Sequence, residues 1–401
     1  MATPDARISF ADLDALDAER LGRRLNEKWN TYPDKDVLCA WVAEMDFPLA
    51  RPIRAVLERA LETDDVGYAI ALRDTGLADA FAARMDERFG WRVEPERCEI
   101  LSEVVQGLYL SLLAYSEPGD GAVVQTPIYP PFLSAVRETG RALVENRLVR
   151  TGGPGDARFE IDFDALARDA GARTRVLLLC NPHNPTGRVF GRAELERLAA
   201  LALERDWVVV TDEIHADLVF DGRRHVPFAT LSPEVAARTV TLTSASKAFN
   251  IPGLRTAVAH FGSRELQQRF DGAVPRHVRG GIGILGIYAT IAAWRDSQPW
   301  LDTVRDYLAA NRDTALAYLG ARCPEVVTTP LEATYLLWLD CSALGLAPSP
   351  ARFLYEHGRI ALSDGRAFGR GFEGFARLNL ATSRAILEEI LERFATAVER
   401  R

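Results

Sequence analysis

Only three of the 48 basic residues in this chain are lysines, Lys28, Lys35 and Lys247. An ε-amine can lose its proton and attack a carbonyl, whereas a guanidinium stays protonated. A lysine in so arginine-rich a chain is therefore a candidate for a Schiff base. Lys247 stands in TVTLTSASKAFNIPGLR, Thr239 to Arg255, where a β-branched run gives way to small hydroxyl residues and then to the amine. The plain alternative is a solvated surface lysine. Two other groups have the right chemistry to serve such an amine. Asp212 closes the run WVVVTD, and its carboxylate could hold a proton on a partner nitrogen or simply cap a helix. NPHNPTG, Asn181 to Gly187, sets two rigid prolines around Asn184, which aims one amide into a cleft or makes an ordinary turn.

The elements that must position these groups are short apolar runs alternating with amphipathic stretches from about Pro52 to Trp294. That alternation predicts an α/β fold of parallel strands joined by crossover helices. CEILS before a helix from Gln106, AVVQT, RVLLLC, WVVVTD, TVTLTS and TAVAHF read as strands buried on both faces. Ligands of open α/β sheets sit beyond the carboxyl ends of the strands. The candidate site is therefore Val104, Pro127 to Tyr129, Asn181 to Gly187, Asp212 to His215 and Ser244 to Lys247. After Trp294 the pattern changes to a long amphipathic helix around Leu301 to Leu319, the short strands TYLLWLD and ARLNLAT, and a terminal helix from Ile386. The predicted division is an arm over residues 1–50 packing on the small domain, a large domain over 51–290 and a smaller α+β domain over 291–401. Glycine-rich loops at Thr151 to Ala157 and Gly365 to Gly374 are expected to be mobile.

With 401 residues, 48% hydrophobic and 26% charged, the chain has the composition of a soluble globular protein. Its net charge of -8 argues against a nucleic-acid or anionic-membrane partner and leaves small-molecule chemistry as the leading class. The uncharged stretch Gly280 to Trp294 is too short to cross a bilayer. The first twenty-five residues hold no apolar signal segment, so the cytoplasm is the expected compartment. Five cysteines without a CxxC spacing indicate neither a disulfide framework nor a zinc site, and are expected to be reduced and mostly buried.

NPHNPTG, DEIH from Asp212 and SASKAFNIPGL from Ser244, supported by WVAEMDF from Trp41, resemble the fold-type I pyridoxal-phosphate enzymes of the class I/II aminotransferase superfamily. Within it they look like the MalY/PatB-type branch, the cystathionine or cysteine-S-conjugate β-lyases. The resemblance runs from Leu25 to about Ser383. It implies that Lys247 carries pyridoxal 5'-phosphate and moves the substrate's Cα proton, while Asp212 pairs with the pyridine nitrogen and keeps the ring an electron sink. It implies that Asn184 bonds the phenolate oxygen, that Tyr129 stacks on the ring, and that His215 stands where aminotransferase relatives have a tyrosine. The Val104 and Val105 amides at a helix start, with Ser244, would hold the phosphate. Tyr68, in VGYAIALRD, resembles a tyrosine that reaches the phosphate of a neighbouring subunit, implying a homodimer with shared active sites. Arg377, in ARLNLAT, matches the arginine that grips the substrate carboxylate, and Trp41 with Ala43-Glu44 would wall the substrate.

Three departures stand out. Ser102-Glu103 replaces the usual Pro-Gly, Glu44 replaces the more usual Asp, and Arg255 resembles the phosphate-binding arginine of the aminotransferases. The loops Gly365 to Gly374 and Arg276 to Gly281 are expected to build the side-chain pocket. The implied reaction on a small amino-acid substrate is α,β-elimination from an S-substituted L-cysteine, giving a thiol, pyruvate and ammonia. Amino-group transfer, or oxidative or decarboxylative processing of a cysteine conjugate, remain alternatives.

Overall fold

Alternation along each central strand sends neighbouring side chains into different cores, because successive residues point to opposite faces. Val124, Leu178, Val210 and Leu242 pack on one side with the helix Val104–Tyr115. Val123, Leu177 and Val209 pack on the other with Leu198 and Trp207. Each such side chain contributes about 1.5–3 kcal/mol on leaving water, so runs of Val and Leu fix the middle of the molecule. The computed structural model describes residues 7–153 and 157–401. Its main sheet has seven strands in the spatial order Cys98–Leu101, Ala257–Phe261, Thr239–Thr243, Val208–Asp212, Thr174–Cys180, Gly121–Thr126 and Ala142–Arg147.

One strand departs from the expected parallel arrangement. Ala257–Phe261 runs antiparallel to both neighbours, pairing Val258 with Thr243 on one side and Ile100 on the other. The connection from Ser244 to Thr256 holds only a short 3-10 turn, Pro252–Leu254, where a parallel return needs a crossover helix. Because the strand is buried on both faces, its composition reads like that of its parallel neighbours. The reversal brings its amino end, Arg255 and Thr256, to the edge of the sheet where the other strands finish.

A second, antiparallel sheet of four strands is ordered Val327–Thr328, Leu336–Asp340, Phe375–Asn379, Ser363–Asp364. Arg377 sits in an inner strand, opposite Trp338 on one side and Ser363 on the other. The helices Gln298–Arg322 and Arg384–Glu399 cover this sheet. The first fifty residues do not rest on one body alone. Leu38–Cys39 pairs with Ile360–Ala361, and Leu21 and Trp29 join the core of the four-stranded sheet. Ala43, Met45 and Phe47 instead pack with Phe81, Phe249 and Trp300.

The loop Gly365 to Gly374 is not the mobile segment its glycines suggest. Phe368 and Phe372 are buried against Trp338, and a Cβ on Gly365 would come within 2.2 Å of the Phe372 carbonyl. These glycines serve close packing rather than freedom. The other glycine-rich loop, Thr151 to Ala157, includes residues 154–156, which lie outside the described residues. All five cysteines are free thiols; four are buried and Cys98 is half-buried.

Candidate active site

Parallel neighbours deliver their last residues to one edge about 4.8 Å apart, and four adjacent strands here end in the predicted groups. Pro127–Tyr129, Asn181–Gly187, Asp212 and Ser244–Lys247 follow them in spatial order. Lys247, Asp212, Asn184, Tyr129, His215, Ser244, Val104, Val105 and Arg255 all line one cavity of about 350 Å³. Trp41 and Arg377 line a second cavity of about 490 Å³ that shares Lys247, Tyr129 and Ala43 with the first.

The Lys247 amine donates to the Ala43 carbonyl at 2.8 Å, and no carboxylate pairs with it among the described residues. Burial and the Arg377 guanidinium pull the amine down to about 8. Asp212 is buried at the strand end, where Oδ1 accepts the Ile214 amide at 3.0 Å. Burial pushes its carboxyl up to about 7, and no cation pairs with it among the described residues. Burial, with Lys247 and Arg377 nearby, holds His215 neutral at about 3, and its Nδ1 has no partner among the described residues. The site thus contains a poised amine, a carboxyl lacking its cation and an imidazole nitrogen with nothing to bond.

The helix Val104–Tyr115 starts at Val104 rather than near Gln106, and no side chain caps it, so its first amides are free for an anion. Glu103, in place of glycine, costs nothing in shape because its backbone is extended (φ -165°, ψ 162°). Its carboxylate pairs with Arg255 at 3.0 Å, and that guanidinium is more than half exposed. Ser244 lines the cavity, but its hydroxyl donates to the Thr256 carbonyl at 2.6 Å and accepts the Ser246 amide. Ser244 as a phosphate donor stays a proposal, since a hydroxyl rotates to suit its partner. Ser246, within the Ser244 to Lys247 segment, also lines this end of the cavity.

Arg377 is buried and held from three sides. It donates to Asn184 Oδ1 at 2.9 Å, to the Trp41 carbonyl at 3.0 Å and to Ser363 Oγ at 3.1 Å. Its buried Nε keeps no partner. Burial lowers its guanidinium to about 10. The Asn184 amide that was expected to face a ligand thus spends its oxygen on Arg377. Tyr129 donates its backbone amide to the Asn184 carbonyl, tying two strand ends together.

Tyr68, expected at a neighbouring subunit's phosphate, is fully exposed on its own chain. One expectation falls outside the site. Residues Arg276 to Gly281 line neither cavity; their Arg279 carbonyl instead accepts a bond from Gln106. Sequence reasoning also missed Tyr335. Its buried hydroxyl donates at 2.9 Å to the same Ala43 carbonyl that holds Lys247. The run TYLLWLD signals a strand and gives no hint of that contact.

With this arrangement established, the chain belongs to the aminotransferase class I and II family, which matches residues 44–394. It is 36% identical to cystathionine beta-lyase PatB of Bacillus subtilis, over 95% of this chain and 98% of that protein. It is 35% identical to cystathionine beta-lyase of Corynebacterium glutamicum, over 95% of this chain and 98% of that one. Among solved structures, cystalysin from Treponema denticola, which contains a pyridoxal 5'-phosphate cofactor, superposes with a TM-score of 0.89 at 27% identity, covering 100% of both chains.

Proposed function

We propose that this chain is a pyridoxal-phosphate-dependent carbon–sulfur β-lyase, cleaving an S-substituted L-cysteine to a thiol, pyruvate and ammonia. The observation that carries the reading is Lys247, an amine lowered to about 8 and held only by a carbonyl, between a cation-less Asp212 and the buried Arg377. The residues present suit the cofactor. Asp212 would hold the pyridine nitrogen, which answers its missing cation, and the free amides of Val104 and Val105 would hold the phosphate. Tyr129 and Asn184 would face the ring and its phenolate oxygen. When bound, pyridoxal phosphate supplies an electron sink for charge developing at the substrate Cα.

The chain's own residues do the rest. Arg377, with its unpartnered Nε, would fix the substrate carboxylate and so set the Cα–H bond toward Lys247. Lys247, largely neutral above pH 8, would remove that proton as general base. His215 stays neutral and adds no competing charge. The sulfur leaves from Cβ into the second cavity, which opens beside Lys247.

A homodimer is part of this reading. Leu61, Val66, Tyr68 and Ile70 are each exposed within one short stretch of chain that a second copy would cover, and the family resemblance assigns Tyr68 to that copy's phosphate. The proposed compartment is the cytoplasm, where free thiols stay reduced. Amino-group transfer is the competing reading, since Arg255 does line the cavity, though Glu103 already pairs with it. Incubation of the cofactor-loaded protein with cystathionine and S-methyl-L-cysteine decides between them. Equal yields of thiol, pyruvate and ammonia support the lyase; transfer to a 2-oxo acid with no thiol released overturns it.

A further inference from the structure

The second cavity, of about 490 Å³, is far larger than an S-methyl group requires. Tyr32, Trp41 and Tyr355 form a continuous aromatic wall along it. The Tyr32 ring meets Trp41 edge-on at 5.8 Å and 87°, and lies 4.9 Å from Tyr355 at 38°. Two polar edges of this wall already have partners. The Trp41 indole N–H donates to the Lys28 carbonyl at 3.1 Å, and the Tyr355 hydroxyl donates to Asp34 at 2.7 Å. What remains for a ligand is ring carbon and the Tyr32 hydroxyl.

Among the charged groups around the wall, Arg366 grips Asp364 with two bonds, at 2.9 and 2.7 Å, and Ser349 donates to the same carboxylate at 2.6 Å. Arg352 pairs with Glu356 one helical turn away. Glu27 also lines the cavity; it is exposed, and its carboxylate has no side-chain partner among the described residues. A flat apolar ring laid on the aromatic faces strips water from none of these charges.

Resting on the lyase reading, we propose that this cavity is a leaving-group subsite that selects cysteines whose sulfur carries an aromatic ring. Tyr32, Trp41 and Tyr355 bury the ring while Arg377 and Lys247 hold the amino-acid end. The selectivity is a matter of ring faces: an aromatic pair adds about 0.5–1.5 kcal/mol beyond the area it buries, which corresponds to roughly a threefold to tenfold preference over a saturated ring of equal size.

The test compares S-benzyl-L-cysteine with S-(cyclohexylmethyl)-L-cysteine on the cofactor-loaded enzyme. The two have similar bulk; the benzyl thiolate is the better leaving group, which acts on kcat, so the subsite is read in KM and in binding. The expected result is a roughly threefold to tenfold lower KM for the benzyl compound. Tyr32→Leu and Tyr355→Leu are expected to bring the ratio close to one. Calorimetric binding of the same pair gives a second readout that needs no bond cleavage. A ratio of one in the wild type, or a ratio unmoved by both variants, overturns the subsite. Failure to release thiol from any substrate, with the benzyl preference still present in binding, overturns the lyase reading and leaves the subsite standing.

Discussion

Lys28 in the arm and Lys247 beyond the strand Thr239–Thr243 both reach the same short segment, Ala43 to Asp46. Lys28 meets the Asp46 carboxylate at 2.8 Å and the Glu44 carbonyl at 3.2 Å, and the Trp29 indole N–H donates to the other Asp46 oxygen. Lys247 meets only the Ala43 carbonyl. The third lysine, Lys35, is exposed. A contact carboxylate commits a buried ammonium to its charge and makes it a fastening. A carbonyl accepts the amine but does not neutralise it, so desolvation can strip the proton. Scarcity of lysine in the sequence marks Lys28 and Lys247 alike; their partners separate the fastening from the reagent.

Replacing each amine should therefore produce opposite losses. Lys247→Ala is expected to lower thiol release by about 10³-fold or more, with the fold intact by thermal unfolding. Its stability effect has a definite sign. With the folded amine near 8 and the unfolded one in the ordinary lysine range, the unfolded chain binds the extra proton between those values. Stability of the cofactor-free protein then rises with pH above 8, and below 8 the buried charge is a cost. Removing it at pH 7 should raise the cofactor-free protein's stability by about 1–3 kcal/mol. Equal unfolding curves across pH 7 to 10 for variant and parent would break this half of the comparison.

Lys28→Met should do the reverse. Leaving Asp46 buried and unpaired is expected to cost about 3–5 kcal/mol in denaturant unfolding, while the molecules that stay folded keep a rate within about threefold of the parent. Adding Asp46→Leu should recover most of the stability. A Lys28→Met protein that is stable but inactive would move Lys28 from the scaffold to the chemistry.

The smallest effect sharpens the contrast. Tyr335 and Lys247 share the Ala43 carbonyl. Tyr335→Phe would leave that oxygen to the amine alone and favour the ammonium. Arg377, Asp212, Glu44 and Glu103 act on the same amine and are unchanged by the substitution. The amine's titration in the cofactor-free protein should rise by a fraction of a pH unit, read from the pH dependence of its labelling by an amine reagent. A titration that moves downward would remove Tyr335 from the site.

The strand-end groups were legible because each follows a short apolar run, and strand order then does the gathering. Lys247, Asp212, Asn184 and Tyr129 needed no more than that. Arg377 was legible only through resemblance, since nothing in ARLNLAT separates it from the chain's many other arginines. The direction of Ala257–Phe261 was hidden because burial on both faces leaves no trace of strand polarity. Gly365 to Gly374 was misread because glycine serves close packing as readily as motion.

A chain with three lysines allows the account to be tested at a single atom. The protein is loaded with pyridoxal phosphate, reduced with borohydride, digested and read by mass spectrometry. The added pyridoxyl mass is expected on the peptide carrying Lys247 and absent from those carrying Lys28 and Lys35. Label on Lys28 or Lys35, or none on Lys247, would contradict the claim that Lys247 is the reacting amine.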